Sequence, residues 1–253
     1  LQGATEFLPV SSSGHLVLMK HFFELGSVPI LFDVLLHVAT LVVVCVVFWE
    51  RLRGVIASLW RWITRKTHEA DATNLRLAWV IALATLFTGV LGLGFSVLEF
   101  VRQPKIVSLL FLVTAGLLIG TRFTRGTTTY RGIGARVGIV TGIAQAFGVL
   151  PGISRSGVTI SASLFSGVDR SHAGEYSFLL SIPAIIGALL VTLQDAGELA
   201  AQVSLGALVA GLVSSFVVGW VALVLLLRLV RGGKLYYFSA YLIPLGIVGL
   251  IIF

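Results

Sequence analysis

Charged residues and cysteine are both scarce in this chain. Only 11% of its 253 residues are charged and 57% are hydrophobic, which leaves too little polar surface for a water-soluble domain of this size. The single cysteine, Cys45, excludes a disulfide within the chain and a cysteine-rich metal site. No cleavable signal sequence is visible. Because the sequence opens at Leu1 without methionine, we expect further residues to precede it in the natural protein.

Long apolar runs stand where a soluble protein has polar surface. Six runs are long enough to cross a bilayer as helices, at 31–49, 76–98, 106–121, 176–194, 204–228 and 236–253. The sequence therefore predicts an all-α polytopic membrane protein that forms a single integral membrane domain over residues 1–253. The net charge of +7 does not indicate nucleic-acid binding, because the basic residues lie in short loops between these runs.

The basic loops also predict an orientation in the membrane. Most of the 18 basic residues lie in the segments 50–76, 122–136, 169–175 and 228–234, which the positive-inside rule places in the cytoplasm. The opposite side then carries a few charges, which are Lys20, Arg102, Lys105, Asp195 and Glu198.

Two similar polar breaks interrupt the apolar pattern. The first is Leu-Pro-Val-Ser-Ser-Ser-Gly-His at 8–15, and the second is Leu-Pro-Gly-Ile-Ser-Arg-Ser-Gly at 150–157. Hydrocarbon penalises charge and unpaired backbone, so such breaks persist only where protein or a water-filled cavity surrounds them. We interpret the segments around them, 1–22 and 137–168, as re-entrant helical hairpins.

The alternation of basic loops requires the two hairpins to enter the membrane from opposite faces. This is the arrangement of an inverted-topology repeat, whose site lies where the two repeats meet. The halves would be 1–121 and 122–253. The similarity of Gly3-Ala4-Thr5-Glu6 to Gly142-Ile143-Ala144-Gln145 gives modest support.

The hydroxyl groups and the arginine of the breaks indicate an anion site. A helix start offers free N–H groups to an anion; capping of the helix is the alternative role of the serines there, although three in a row exceed what capping needs. Arg155 can bind phosphate oxygens through two parallel hydrogen bonds, the alternatives being a snorkelling arginine or an ion pair with a buried acid. We therefore predict a phosphate or pyrophosphate site at Arg155, with substrate-binding candidates Ser11, Ser13, Gly152, Ser154, Ser156 and Thr159.

Glu6 is the acidic candidate of the first break. It could pair with Arg155, or it could hold a divalent cation, because hard cations prefer carboxylate and phosphate oxygens. Gln2 lies four residues earlier and would share a helix face with Glu6.

His15 follows Ser12 by about one helical turn, which is typical of a nucleophile beside its base, although a lone histidine is more often a satisfied core residue. Ser12 with His15 as base, His15 itself and water all remain open as the attacking group. Asp33 and His37 form an i,i+4 pair, which we interpret as bonding within the pair or to a neighbouring helix, with a place lining the site as the alternative.

A family resemblance accompanies these motifs. Gln2-Gly3-Ala4-Thr5-Glu6-Phe7-Leu8-Pro9-Val10-Ser11-Ser12-Ser13-Gly14-His15 resembles the first signature of the bacterial undecaprenyl pyrophosphate phosphatases, also called the bacitracin-resistance protein family. Pro151-Gly152-Ile153-Ser154-Arg155-Ser156-Gly157-Val158-Thr159 resembles the second signature, and Glu175-Tyr176-Ser177-Phe178 with Pro183 resembles a weaker pattern downstream.

The resemblance implies an enzyme that converts a long polyprenyl pyrophosphate to its monophosphate and recycles the lipid carrier of cell-wall synthesis. It implies a multi-pass protein of the bacterial plasma membrane, with a site that opens outward and catalytic residues Glu6, Ser12, His15 and Arg155. It also implies Mg²⁺ or Ca²⁺, held by Glu6 and Gln2, although Gln2 contributes no negative charge. A homodimer is one assembly that it allows.

A transporter or flippase for a phosphorylated lipid or anion is the alternative function. Inverted repeats with paired broken helices are typical of transporters, and the same polar residues could bind an anion without reacting with it. An adjacent base and nucleophile would favour the enzyme, because a carrier needs only positive charge for its anion.

Overall fold

The computed structural model describes residues 1–23, 30–193 and 203–253. Within these ranges the regular structure is helical, apart from one isolated β-bridge between Thr128 and Val168. The predicted outer loop with Asp195 and Glu198 lies outside the described residues.

The helices are numbered here in chain order over the described residues. Before residue 121 they are α1 (Gln2–Phe7), α2 (Ser12–Phe22), α3 (Ile30–Val47), α4 (Trp49–Ile63), α5 (Ala72–Ser96) and α6 (Pro104–Gly120). After it they are α7 (Ala135–Phe147), α8 (Arg155–Phe165), α9 (Arg170–Thr192), α10 (Leu205–Arg231) and α11 (Ser239–Ile252). Short 3-10 turns occupy Glu69–Asp71, Glu99–Arg102, Thr121–Phe123 and Leu235–Phe238.

Five helical segments of the described chain are long and apolar enough to cross a membrane. They are Glu69–Phe95, Pro104–Phe123, Arg170–Thr192, Leu205–Arg231 and Leu235–Ile252. A sixth is reached only if Leu31–Val47 and Trp49–Ile63, which meet at 83°, count as one bent span. The prediction of an all-α, multi-pass protein is therefore confirmed, with five to six candidate spans.

The bend between α3 and α4 corrects one prediction. The segment 50–76 was predicted as a loop, yet most of it is the amphipathic helix α4. Four large side chains at helical spacing are exposed along one of its faces, namely Trp49, Ile56, Trp60 and Ile63. On the face toward α5, the buried Ser58 and the partly exposed Arg61 both bond the Asp71 carboxylate. The sequence pattern missed α4 because its arginines interrupt the apolar run.

The first helix of each half of the chain packs against a long helix of the other half. Helix α1 packs on α10 and α7 packs on α5, while α3 pairs with α9 and α6 with α11. A Cβ added to Gly3 of α1 would lie 2.6 Å from the Ser215 carbonyl oxygen, and one on Gly142 of α7 would lie 2.5 Å from that of Ala84. These small residues let each helix approach its neighbour's backbone closely, which carries both breaks into the interior.

Candidate functional site

Both breaks lead into a helix whose first turn is capped by serine. The Leu-Pro step ends the preceding helix, because the residue before proline avoids the helical region. The Ser11 hydroxyl then accepts a hydrogen bond from the Gly14 N–H at 3.2 Å, and the Ser154 hydroxyl accepts one from the Gly157 N–H at 3.1 Å. The capping alternative for these two serines therefore matches the structure.

Hydrogen bonds between the breaks hold them side by side. The Gly152 N–H donates to the Ser11 hydroxyl at 3.0 Å, and the Ser156 hydroxyl donates to the Phe7 carbonyl at 3.1 Å. Gly152 has a φ of 98°, and a Cβ there would lie 2.5 Å from the Val107 carbonyl oxygen, so only glycine fits. Gly152 and Ser156, predicted to bind substrate, join the two breaks to each other.

A cavity of ≈ 260 Å³ lies where the breaks meet. Its polar lining residues are Thr5, Glu6, Ser11, Ser12, Ser13, His37, Ser154 and Arg155. Its apolar lining residues are Val34, Val149, Ile153, Ala184, Ile185 and Ala188, with Gly148 beside them. The structure thus brings Glu6, Ser12 and Arg155 into one cavity from opposite halves of the chain.

The Glu6 carboxylate is the centre of the polar contacts. Its Oε2 atom accepts hydrogen bonds from Gln2 Nε2 at 3.1 Å and from Ser12 Oγ at 3.0 Å. Its Oε1 atom forms an ion pair with the Arg155 guanidinium. The Glu6 side chain is 5% exposed and that of Arg155 22%, so each charge has the partner that burial demands.

His37 reaches the same carboxylate from α3. Its Nε2 atom lies 3.2 Å from Glu6 Oε2, and its Nδ1 atom lies 2.8 Å from the Asp33 carbonyl oxygen. The Asp33 carboxylate turns away to pair with Lys20 at 3.8 Å. His37 therefore lines the cavity, which the sequence analysis gave only as the alternative to a bond with Asp33 or a neighbouring helix. The only sign of this in the sequence was an ionisable side chain within an apolar run.

His15 is turned away from the cavity. Its Nδ1 atom lies 2.8 Å from the Ser11 carbonyl oxygen, its Nε2 atom lies 2.7 Å from the Tyr241 hydroxyl, and its ring stacks on Tyr241. In the part of the chain that the structure describes, no hydrogen bond joins His15 to Ser12. The expected pairing fails because His15 bonds the carbonyl four residues before it and faces α11 instead.

Three other predicted substrate-binding residues differ in their positions. The Ser13 hydroxyl lies 3.4 Å from that of Ser11, and the Ser154 hydroxyl lies 3.2 Å from that of Ser156. Ser13 and Ser154 both line the cavity. The Thr159 hydroxyl donates to the Arg155 carbonyl at 2.8 Å and contacts Ser177, so it supports α8 from outside the cavity lining.

Glu6 and Gln2 carry oxygen atoms of the kind that a hard divalent cation binds. Among the described residues, no group of three or more His, Cys, Asp or Glu side chains is arranged around a metal position. The Oε1 atom of Gln2, however, is buried without a hydrogen-bond partner in the described chain. Mg²⁺ is commonly held by one or two carboxylates together with substrate phosphates, so Glu6 and a bound phosphate would supply the charged ligands and Gln2 an uncharged oxygen.

Comparison with known proteins covers almost the whole chain. The family model described as bacitracin resistance protein BacA matches residues 1–248. The undecaprenyl-diphosphatase of Treponema denticola is 47% identical over 247 residues, which cover 98% of this chain and 92% of that protein. The undecaprenyl-diphosphatase of Desulfosudis oleivorans is 42% identical, with 97% of this chain and 93% of that protein covered.

Proposed function

The chain belongs to the bacitracin resistance protein BacA family, and from this premise we propose that it hydrolyses undecaprenyl diphosphate to the monophosphate and inorganic phosphate. One observation carries the proposal. Glu6, Ser12 and Arg155, which lie in different halves of the chain, line a single cavity and contact one another through Glu6. A hydroxyl, a carboxylate and a guanidinium at this spacing suit phosphoryl transfer, which depends on positioning and on neutralising charge.

Arg155 is the group that receives the diphosphate. In the free protein its guanidinium pairs with Glu6. A bound diphosphate offers more negative charge and accepts two parallel hydrogen bonds from arginine, so Arg155 turns from Glu6 toward the substrate. Glu6 then loses a cationic partner and becomes a better proton acceptor.

Ser12 is the attacking group in this proposal. Its oxygen forms a bond to the terminal phosphorus, and the bond from that phosphorus to the bridging oxygen breaks, so the prenyl monophosphate leaves. The hydroxyl proton passes to Glu6 Oε2, to which Ser12 already donates at 3.0 Å. Water then cleaves the phosphoserine, which releases inorganic phosphate and restores the hydroxyl.

The position of His15 favours this route over attack by histidine. Both His15 nitrogens lie within hydrogen-bond distance of protein oxygens, and the residue is not part of the cavity lining. The hydrogen bond between its Nδ1 atom and the Ser11 carbonyl oxygen stabilises the turn on which Ser12 lies. Its expected role as base passes to Glu6.

Glu6 and Gln2 are the residues that would hold Mg²⁺ or Ca²⁺. A bound divalent cation would neutralise charge on the phosphate oxygens during transfer. Residues of this chain do the rest, since Arg155 orients the diphosphate and Ser12 attacks it.

The lipid substrate also fits the apolar side of the cavity. Val34, Ile153 and Ile185 line it together with the polar groups, so the first prenyl units can lie against side chains while the remaining tail extends into lipid. The protein is then a multi-pass component of the bacterial plasma membrane. The homodimer stays a prediction.

We also propose that α1–α2 and α7–α8 are re-entrant hairpins of an inverted repeat. The packing between helices supports this arrangement. If α1, α3, α5 and α6 correspond to α7, α9, α10 and α11, then the contact of α1 with α10 corresponds to that of α7 with α5. The contacts α3–α9 and α6–α11 each join a helix to its own counterpart. Gly3 and Gly142, which occupy matching places in the two similar segments, make the matching close approaches. The basic loops would lie in the cytoplasm and the cavity would open outward.

The direct test is phosphate release from undecaprenyl diphosphate by the purified protein in detergent. The parent chain should release phosphate, and Ser12→Ala should lower kcat by at least about 10⁴-fold, as expected for loss of a nucleophile. Ser161→Ala is the matched control, because this buried hydroxyl of α8 has no hydrogen-bond partner in the described chain, and it should keep the parent rate.

Two results would contradict the proposal. A parent protein that binds the substrate but releases no phosphate favours the transporter or flippase. A Ser12→Ala protein that retains most of the parent rate shows that Ser12 is not the attacking group, which leaves water or His15.

A further inference from the structure

We propose that His37 is a positioning residue of this site, which holds the Glu6 carboxylate in the orientation that accepts the Ser12 proton. The inference rests on the proposed phosphatase function and adds a residue that lies outside both polar breaks. His37 belongs to α3, whereas Glu6 lies just before the first break and Ser12 lies within it.

The ring contacts of His37 define the direction of its hydrogen bonds. Nδ1 lies 2.8 Å from the Asp33 carbonyl oxygen, which can only accept, so Nδ1 carries a hydrogen. Nε2 lies 3.2 Å from Glu6 Oε2, and an ionised carboxylate also only accepts. A ring with a hydrogen on each nitrogen is an imidazolium cation, and in that form Nε2–H donates to Glu6 while the backbone of its own helix fixes the ring.

The carboxylate of Glu6 is held at both oxygens. Gln2, Ser12 and His37 converge on Oε2, while Arg155 pairs with Oε1. Gln2 and Ser12 belong to short helices beside the break, but α3 spans Ile30–Val47 and packs along both α9 and α10. His37 is thus the Glu6 contact supported by a long packed helix, and a site on such an element is positioned more accurately than one on a turn.

The contact also matters when substrate arrives. Arg155 leaves Glu6 for the diphosphate in the proposed reaction, and a buried carboxylate without a partner is unfavourable. His37 remains beside Oε2 and keeps that oxygen directed at the Ser12 hydroxyl.

His37→Leu and His37→Gln separate this role from simple packing. Leucine removes the donor, and we expect kcat for phosphate release to fall roughly 10- to 100-fold with KM within about twofold of the parent, as for misplacement of a catalytic group. Glutamine restores an N–H donor of similar reach and should bring kcat back to within about threefold of the parent. His21→Leu is the matched control, because His21 lies in the last turn of α2 and packs on Phe253 away from the cavity, and it should behave as the parent.

A second readout does not depend on turnover. The infrared carboxylate band that disappears in Glu6→Gln identifies the Glu6 side chain, and that band should shift in His37→Leu and keep its parent position in His37→Gln.

Three outcomes overturn the inference. If His37→Leu keeps the parent kcat with an unshifted band, His37 has no positioning role, while an active parent leaves the phosphatase proposal intact. A raised KM with unchanged kcat makes His37 a substrate-binding residue instead. Failure of glutamine to restore any of what leucine loses shows that a hydrogen-bond donor at position 37 does not position Glu6. An inactive parent protein, by contrast, refutes the phosphatase proposal itself.

Discussion

The two polar breaks of this protein are close in sequence and geometry but carry opposite charge. Each has a Leu-Pro step and a serine whose hydroxyl caps the next helix, with bonds of 3.2 Å at Ser11 and 3.1 Å at Ser154. The first break has the acidic Glu6 just before it, and the second contributes the basic Arg155. Each charge is therefore the other's partner, and neither half of the chain makes the site alone.

The helices that precede the two breaks also differ in the charge of one side chain. On α1 the carboxylate of Glu6 lines the cavity, whereas on α7 the corresponding side chain is the neutral Gln145, whose Nε2 donates to the Thr88 hydroxyl at 3.3 Å. The two similar segments thus differ at two polar positions, with Glu6 against Gln145 before the breaks and Ser12 against Arg155 after the capping serines. The comparison teaches that the cavity depends on the difference between the halves as much as on their likeness.

Among the changes that test this comparison between the breaks, removing the charge of the second one should have the largest effect. We expect Arg155→Ala to lower kcat/KM for phosphate release roughly 10³-fold, the scale of an arginine that stabilises a transferred phosphoryl group. Arg155→Lys should recover only a small part, because lysine does not reproduce the two parallel hydrogen bonds. Arg136→Ala, at an exposed arginine near the start of α7, should keep the parent value. Equal activity of the lysine and arginine proteins would show that charge alone suffices.

Giving the second half a carboxylate like that of the first should damage stability instead of building a second site. Gln145 is 2% exposed and its Oε1 atom has no hydrogen-bond partner in the described chain. Gln145→Glu buries an unpaired charge, which we expect to lower the free energy of unfolding by about 3–5 kcal/mol. The loss should appear as a lower midpoint temperature of thermal unfolding in detergent. Gln145→Leu, which removes the unpaired oxygen without adding charge, should lose far less. A Gln145→Glu protein as stable as the parent would mean that the new carboxyl group is buried in its neutral form or finds a partner.

The smallest expected effect concerns the backbone of the first break. Ser11 has a φ of 66°, whereas the second break uses glycine at Gly152 for its positive φ. Ser11→Ala keeps the strained Cβ and leaves two buried N–H groups unpaired, for a loss of about 1–3 kcal/mol. Ser11→Gly loses the same hydroxyl but removes the strain, so it should be more stable than the alanine protein by about 1 kcal/mol. Heating both proteins in detergent checks the order, and the reverse order would show that Ser11 is not strained.

Local rules predict the breaks well but the direction of their side chains poorly. Proline and serine chemistry placed the second break between α7 and α8, whose structure is Ala135–Phe147 followed by Arg155–Phe165. Turn spacing also suggested that His15 faces Ser12. The positive φ of Ser11 and the Tyr241 hydroxyl, contributed 226 residues later, decide instead that it faces α11.

Distant contacts explain the remaining differences between expectation and structure. His37 meets Glu6 only because α3 passes beside α1, and no local pattern records that packing. Helix α4 was assigned to a loop because hydropathy alone does not recognise an amphipathic helix with arginines. The contact of Glu6 with Arg155, by contrast, was one of the two roles that the sequence predicted for Glu6, because a buried charge needs a partner of opposite sign.

The exposed aromatic face of α4 has a practical consequence for spectroscopy. Three of the five tryptophans, Trp49, Trp60 and Trp62, lie on this helix, and the other two, Trp79 and Trp220, are also exposed. Tryptophan is absent from the cavity lining. Intrinsic fluorescence of this protein therefore follows the detergent or lipid around it, and a ligand titration needs a reporter placed beside the diphosphate.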